Sequence, residues 1–286
     1  MAGVGLVVHH DRPRALTLAA ELAAWLRGNG HDVVLPEGDA AATGLAEHGC
    51  AEGELAGRIE VAVSLGGDGT MLRAVDLVAA AGVPVIGVNV GHLGYLTEVE
   101  PEGVQPALER FLAGRYDVEQ RMMLSLGIER AGAHGSDASM VALNEAVLEK
   151  TVAGHTVRLQ VDIDGEFFTT YATDGLIVAT PTGSTAYAFS ARGPIVAPSH
   201  RAIVLTPVAP HMLFDRTLVL GPDSQIRAQV CSDRPATLSV DGRSVGTLED
   251  GDAVVCTAAE LSAQLVTFGP RDFHRTLKAK FGLGDR

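Results

Sequence analysis

The spacing of hydrophobic positions changes character once along this chain. In the first third, short apolar runs alternate with helical spacing. Residues 4–9 are β-rich. Pro13 then opens a helix that carries Leu16, Ala19, Ala20, Ala23 and Leu26 on one side, and Asn29-Gly30 closes it. Residues 32–35 read as a second strand, and residues 36–57, rich in Gly, Ala and Glu, as a loop with some helix. Residues 61–65 are the next strand. Met71, Leu72, Val75, Leu77 and Val78 predict a buried helix ending near Gly82, and residues 84–88 return as a strand. This β-α-β-α-β order argues for a parallel sheet with helices on its faces.

From residue 117 onward the pattern is short β-like runs separated by turns, at 123–129, 141–149, 157–163, 175–180, 202–206, 226–231, 237–240 and 253–256. Asp164-Gly165 and Asp241-Gly242 read as hairpin turns. Two packed antiparallel sheets follow, with one more helix over 271–280. The expected division is an α/β domain over 1–116, a β-sandwich over 117–268, and a tail, 269–286, packing back on the first domain.

Composition narrows the function classes. The 286 residues are 47% hydrophobic and 20% charged, an ordinary globular profile with ample core. The formal charge of −13 lacks the basic face of a nucleic-acid binder and is repelled by an acidic membrane surface. Cys50, Cys231 and Cys256 are odd in number and widely spaced, which speaks against a disulfide framework or zinc site. The first residues form neither a signal peptide nor a membrane span, so a cytoplasmic protein is expected.

Candidate chemistry begins at Gly66-Gly67-Asp68-Gly69-Thr70, between an apolar strand and a helix. There backbone N–H groups and the helix dipole favour phosphate, and glycines admit close approach. No Gly-Lys-Ser/Thr is present, and Leu72 stands where a dinucleotide fingerprint needs its third Gly. Asp68 is electrostatically out of place beside phosphate. It accepts a proton from an attacking hydroxyl, holds Mg²⁺ through water, or stabilises its own turn.

A second cluster follows. Thr173-Asp174-Gly175 precedes Thr180-Pro181-Thr182-Gly183-Ser184-Thr185-Ala186-Tyr187. Four hydroxyls, on Thr182, Ser184, Thr185 and Tyr187, suit a polar ligand, although each alone is an ordinary helix cap. Asn144-Glu145 interrupts an apolar strand, placing one polar side chain on each face. An edge-strand pair explains this as well as a ligand site does.

In that order these motifs resemble the NAD kinases. Asn89-Val-Gly-His-Leu-Gly-Tyr and Ser190-Ala-Arg-Gly-Pro-Ile-Val extend the resemblance over nearly the whole chain. It implies an N-terminal α/β, Rossmann-like domain with a parallel sheet and a C-terminal β-sandwich domain, with NAD bound in a cleft between them. It also implies homodimers or homotetramers. Asp68 matches the catalytic base, and Gly67, Gly69 and Thr70 belong to its loop. Arg73 falls where relatives keep a basic residue near the phosphates. Asn144, Glu145 and Asp174 match contacts to NAD, and Thr182, Thr185, Ala186, Tyr187 and Ser190 belong to the substrate-binding turn. His155 takes a position often Lys or Arg, and Arg243 replaces a frequent Gln.

The implied reaction is phosphorylation of the 2′-hydroxyl of the adenosine ribose of NAD. ATP is the expected donor, with other nucleoside triphosphates or polyphosphate as alternatives. Mg²⁺ travels with the donor, and no residue is singled out as a metal ligand. The competing readings are a diacylglycerol-type lipid kinase sharing the GGDGT sequence and a non-catalytic nucleotide sensor.

Overall fold

The computed structural model describes residues 1–91, 94–132, 140–270 and 272–284. It divides into two compact units, residues 1–120 with 263–286, and residues 121–262. Residues 133–139 lie outside the described residues, as do His92, Leu93 and Arg271.

In the first unit the chain runs β1 (Gly3–Val8), α1 (Pro13–Gly28), β2 (Asp32–Pro36), α2 (Glu37–Thr43), β3 (Gly49–Cys50), α3 (Glu52–Leu55), β4 (Val61–Gly66), α4 (Asp68–Val78), β5 (Val85–Asn89) and α5 (Val104–Leu112). The strands form a parallel sheet in the order β5-β4-β1-β2-β3, with Gly5 opposite Ala62 and Leu65 opposite Val88. Strands β4 and β5 are buried throughout, as expected for a sheet covered on both faces. The face that α1 buries is Ala15, Ala19, Leu22, Ala23 and Leu26; Leu16 and Ala20 lie at its margin. Residues 36–57 are more regular than a loop, holding α2, β3 and α3. Helix α5 stands outside the elements read from the sequence. Its buried Val104, Ala107, Leu108 and Phe111 nonetheless have the i, i+3, i+4, i+7 spacing of an amphipathic helix.

The second unit carries β6 (Asp117–Glu129, whose first residues belong to the first unit), β7 (Met140–Ala142), β8 (Glu145–Lys150), β9 (Val157–Ile163), β10 (Glu166–Thr173), β11 (Gly175–Ala179), α6 (Tyr187–Ser190), β12 (Ile203–Val208), β13 (Leu218–Leu220), β14 (Ile226–Val230), β15 (Ala236–Val240), β16 (Arg243–Leu248) and β17 (Ala253–Thr267). The end of β17 and the final helix, α7 (Phe273–Phe281), return to the first unit, where Leu265 pairs in parallel with Val85. One antiparallel sheet of the second unit includes β10-β9-β14 and the start of β17; the other runs β13-β12-β11-β8-β15-β16. Leu159, Val161 and Ala228 from the first sheet share one core with Leu148, Val178 and Leu238 from the second, which makes the unit a sandwich. Both expected hairpins are present. Asp164 and Asp241 have φ of 55° and 47°, and their following glycines 84° and 76°, as a two-residue primed turn requires.

One expectation is corrected. Asn144 is not inside a strand: β7 ends at Ala142 and β8 starts at Glu145, so Leu143 and Asn144 form a break.

Candidate active site

In the first unit, β4 delivers the chain directly into α4. Gly67 is the N-cap and Asp68 the first helical residue, so most of the GGDGT sequence is the first turn of a helix. A Cβ at Gly66 would overlap the Thr70 side chain, which is why the strand and helix can close so tightly. At Gly69 a Cβ would meet nothing within 4 Å, so this position faces open space.

The Asp68 carboxylate is held from one side. Its Oδ2 accepts the Tyr95 N–H at 2.9 Å and its Oδ1 the Leu96 N–H at 3.0 Å. Its charge, after burial, raises the Tyr95 phenol above its usual value. Asp68 borders a cavity of about 410 Å³ lined by residues 8–12, 67–70 and Arg73. The Arg12 guanidinium donates to the Val90 carbonyl. Arg73 donates to the Val8 carbonyl at 3.0 Å and pairs with Asp39. Asp39 is fully buried and also takes the Val8 N–H at 2.7 Å and the His10 Nε2 at 2.7 Å. Asp39, His10 and Arg12 escape sequence reading because nothing local marks them; only the fold brings them beside the GGDGT turn.

In the second unit, the break at Leu143-Asn144 is clamped. The Asp241 carboxylate accepts the N–H groups of Leu143, Asn144 and Glu145 at 2.8, 2.8 and 3.0 Å. From the other side, the Thr180 hydroxyl donates to the Leu143 carbonyl at 2.6 Å, and the Thr180 N–H to the Asn144 carbonyl at 2.8 Å. A Cβ at Gly183 would overlap the Asn144 carbonyl, so the Thr-Pro-Thr-Gly turn lies directly on the break. Glu145 is 6% exposed and its Oε2 has no partner among the described residues. Burial, then the neighbouring Asp241 charge, push its carboxyl up to about 8, against the Tyr187 N–H.

Tyr187 links this break to Asp174. Its hydroxyl donates to Glu149 at 2.7 Å, and that bond, with burial and the Glu149 and Asp174 charges, pushes the phenol up to about 12. Asp174 itself pairs with Lys150 at 2.7 Å. The four hydroxyls of the turn have different partners. Ser184 is buried and spends its hydroxyl on Pro181 and Val196; Thr185 bonds back to Thr182, whose own hydroxyl accepts from Arg121. Ala186 precedes α6 in a half-buried position, and Ser190 is exposed at its end. His155 is exposed ahead of β9, and Arg243 is exposed at the start of β16, where its charge acts on Asp241.

The first unit thus holds a carboxylate at a helix N-terminus beside a cavity of about 410 Å³, and the second a clamped polar break in a sandwich. Residues 4–116 match the model of the ATP-NAD kinase N-terminal domain, and residues 143–268 that of the ATP-NAD kinase C-terminal domain. The chain belongs to the NAD kinase family. The NAD kinase of Moorella thermoacetica is 40% identical over 99% of this chain and 90% of its own length, and that of Heliobacterium modesticaldum 41% identical over 99% and 100%. Among solved structures, a yeast NADH kinase complexed with NADH superposes with a TM-score of 0.92 at 26% identity, covering 100% of this chain and 89% of its own. An NAD kinase from Archaeoglobus fulgidus in complex with ATP gives 0.74 at 27% identity, covering 98% and 97%. No helix among the described residues is long and apolar enough to cross a membrane.

Proposed function

We propose that this chain transfers the γ-phosphoryl group of ATP to the 2′-hydroxyl of the adenosine ribose of NAD, giving NADP and ADP. The observation that carries this reading is the fixed Asp68 carboxylate at the N-terminus of α4, beside the 410 Å³ cavity. Membership of the NAD kinase family and the NADH and ATP bound by its yeast and archaeal relatives support the choice of substrates.

A ribose hydroxyl is a poor nucleophile at neutral pH. As its oxygen bonds to the γ-phosphorus, its proton passes to Asp68 and the bond from phosphorus to the β–γ bridging oxygen breaks, with that electron pair leaving on ADP. The N–H groups of Gly67, Gly69 and Thr70 and the Arg73 guanidinium stabilise the phosphate charge. Asn144, Glu145, Asp174, Thr182, Thr185, Ala186, Tyr187 and Ser190 hold NAD, with His155 and Arg243 as outer polar contacts.

Among the described residues no three His, Cys, Asp or Glu side chains are grouped to hold a metal, and both Asp68 oxygens already accept amide protons. Mg²⁺ would arrive with the ATP substrate, where it would neutralise phosphate charge. Family membership also supports a cytoplasmic homodimer or homotetramer, which light scattering on the purified protein tests for size. The deciding assay supplies NAD, ATP and Mg²⁺ and scores NADP. Formation of 2′-phosphorylated product supports the proposal. No NADP, with phosphorylation of diacylglycerol instead, overturns it in favour of the lipid-kinase reading.

A further inference from the structure

The break between β7 and β8 takes Leu143 and Asn144 out of any strand ladder, just before Glu145 opens β8. Buried amides left without partners would each cost about 1–3 kcal/mol. One side chain, far away in sequence, takes all three: the Asp241 carboxylate accepts Leu143, Asn144 and Glu145 N–H. The contact is reciprocal, because the Asp241 N–H donates to the Glu145 carbonyl at 3.0 Å. Asp241 does this from the β15–β16 turn, where its φ is 47° and the preceding Val240 pairs with Ala146 of β8. Asp and Asn tolerate that left-handed conformation better than other side chains do. With Thr180 holding the carbonyls of Leu143 and Asn144, the peptide groups of the break are fixed from both sides.

The side chains of the break are treated differently. The Asn144 amide makes no hydrogen bond among the described residues, and Glu145 keeps a buried Oε2 without a partner. A rigid backbone that carries unengaged polar groups is the form of a ligand-presenting element.

We infer that Asp241 is a positioning residue for the acceptor nucleotide: by fixing the peptide groups of residues 143–145 it presents the Asn144 and Glu145 side chains to NAD. This rests on the proposed function, in which NAD is the acceptor. Asp241 itself touches no substrate. Its negative charge has a second effect, since after burial it opposes ionisation of Glu145, against the Tyr187 N–H.

The test compares wild type, Asp241→Asn, Asp241→Glu and Glu145→Gln in steady-state kinetics from about pH 6 to about pH 10. Asn keeps the left-handed turn and one acceptor oxygen but loses the charge. The expected result for Asp241→Asn is a KM for NAD raised about tenfold or more with the KM for ATP within about twofold. In addition, a limb of kcat/KM for NAD is expected near pH 8 in wild type, from the Glu145 carboxyl, and at lower pH in Asp241→Asn. It stays in place in Asp241→Glu, which keeps the charge but displaces the oxygens, and is absent in Glu145→Gln. Equal changes in both KM values with an unmoved limb, or no change in either, overturn the inference. If Asp241→Asn does not fold, Asp241→Glu decides alone: a raised KM for NAD supports, an unchanged one overturns. Wild type that makes no NADP overturns the proposed reaction instead, and calorimetric titration with NAD then reads the same contrast between variants.

Discussion

Gly94 stands against Asp68 so closely that a Cβ at Gly94 would overlap the Asp68 Oδ1. This approach lets the next two amides, of Tyr95 and Leu96, reach the carboxylate. Gly94→Ala therefore pushes Asp68 out of its seat without touching the hydrophobic core. We expect a folded protein, destabilised by about 1–3 kcal/mol as for other overpacking substitutions. NADP formation should drop by about 10²-fold, the scale of a misplaced reacting group. Thermal melts and initial rates on the same preparation check this, and a wild-type rate would show that the Asp68 position is not set by Gly94.

Asp68→Asn leaves the size of the side chain and one acceptor oxygen but removes the proton acceptor. The kcat is expected to fall by about 10²–10⁴-fold. The KM for NAD should stay within about threefold, because the lost interaction belongs to the transition state. A kcat near wild type would remove Asp68 from the role of base.

The parts of the molecule that were readable from sequence are those whose signal is local. The two Asp-Gly hairpins were legible because a left-handed pair of residues admits few other side chains. Asp68 was legible because glycines flank it between a buried strand and a helix. The break at Asn144 was not: its apolar flanks read as one strand, and the residue that interrupts it, Asp241, lies 97 positions away. Within the hydroxyl-rich turn, one member could not be told from its neighbours for a related reason. Ser184 looks identical to a ligand contact in sequence, and only packing against Pro181 and Val196 assigns it to the fold. Asp39 gave no signal, because a single carboxylate in an Ala-rich segment acquires its meaning from the Arg73 and His10 that the sheet brings to it.

That buried carboxylate supports a third prediction. Asp39→Ala leaves the Val8 N–H without its acceptor and the Arg73 guanidinium without its counter-charge. Removing one partner of a buried pair costs about 3–5 kcal/mol. Arg73 is 28% exposed, so water recovers part of that, and the lower end is expected. Urea unfolding measures it. A loss below about 0.5 kcal/mol, the scale of an exposed pair, would mean that Asp39 is not a fixed anchor for Arg73.

Glu145 links stability to pH in the direction opposite to an ordinary carboxylate. Its carboxyl moves from the usual 4.5 up to about 8 on folding, because burial and the Asp241 charge disfavour ionisation. Between those values the folded protein holds a proton that the unfolded chain has released. The contribution is thus fully present below about pH 4.5 and is lost as pH rises to about 8, with a slope of up to about 1.4 kcal/mol per pH unit. The Asp241 carboxyl, also raised by burial, acts in the same direction. Glu145→Gln cannot ionise, so it keeps the size of the side chain and removes the Glu145 slope. Urea midpoints taken at intervals from about pH 5 to about pH 9 should fall more steeply for wild type than for Glu145→Gln, with the curves diverging toward high pH. Parallel curves would mean that Glu145 is already ionised in the folded protein near neutrality. The buried Oε2 would then need a cationic or hydrogen-bonding partner to hold its charge.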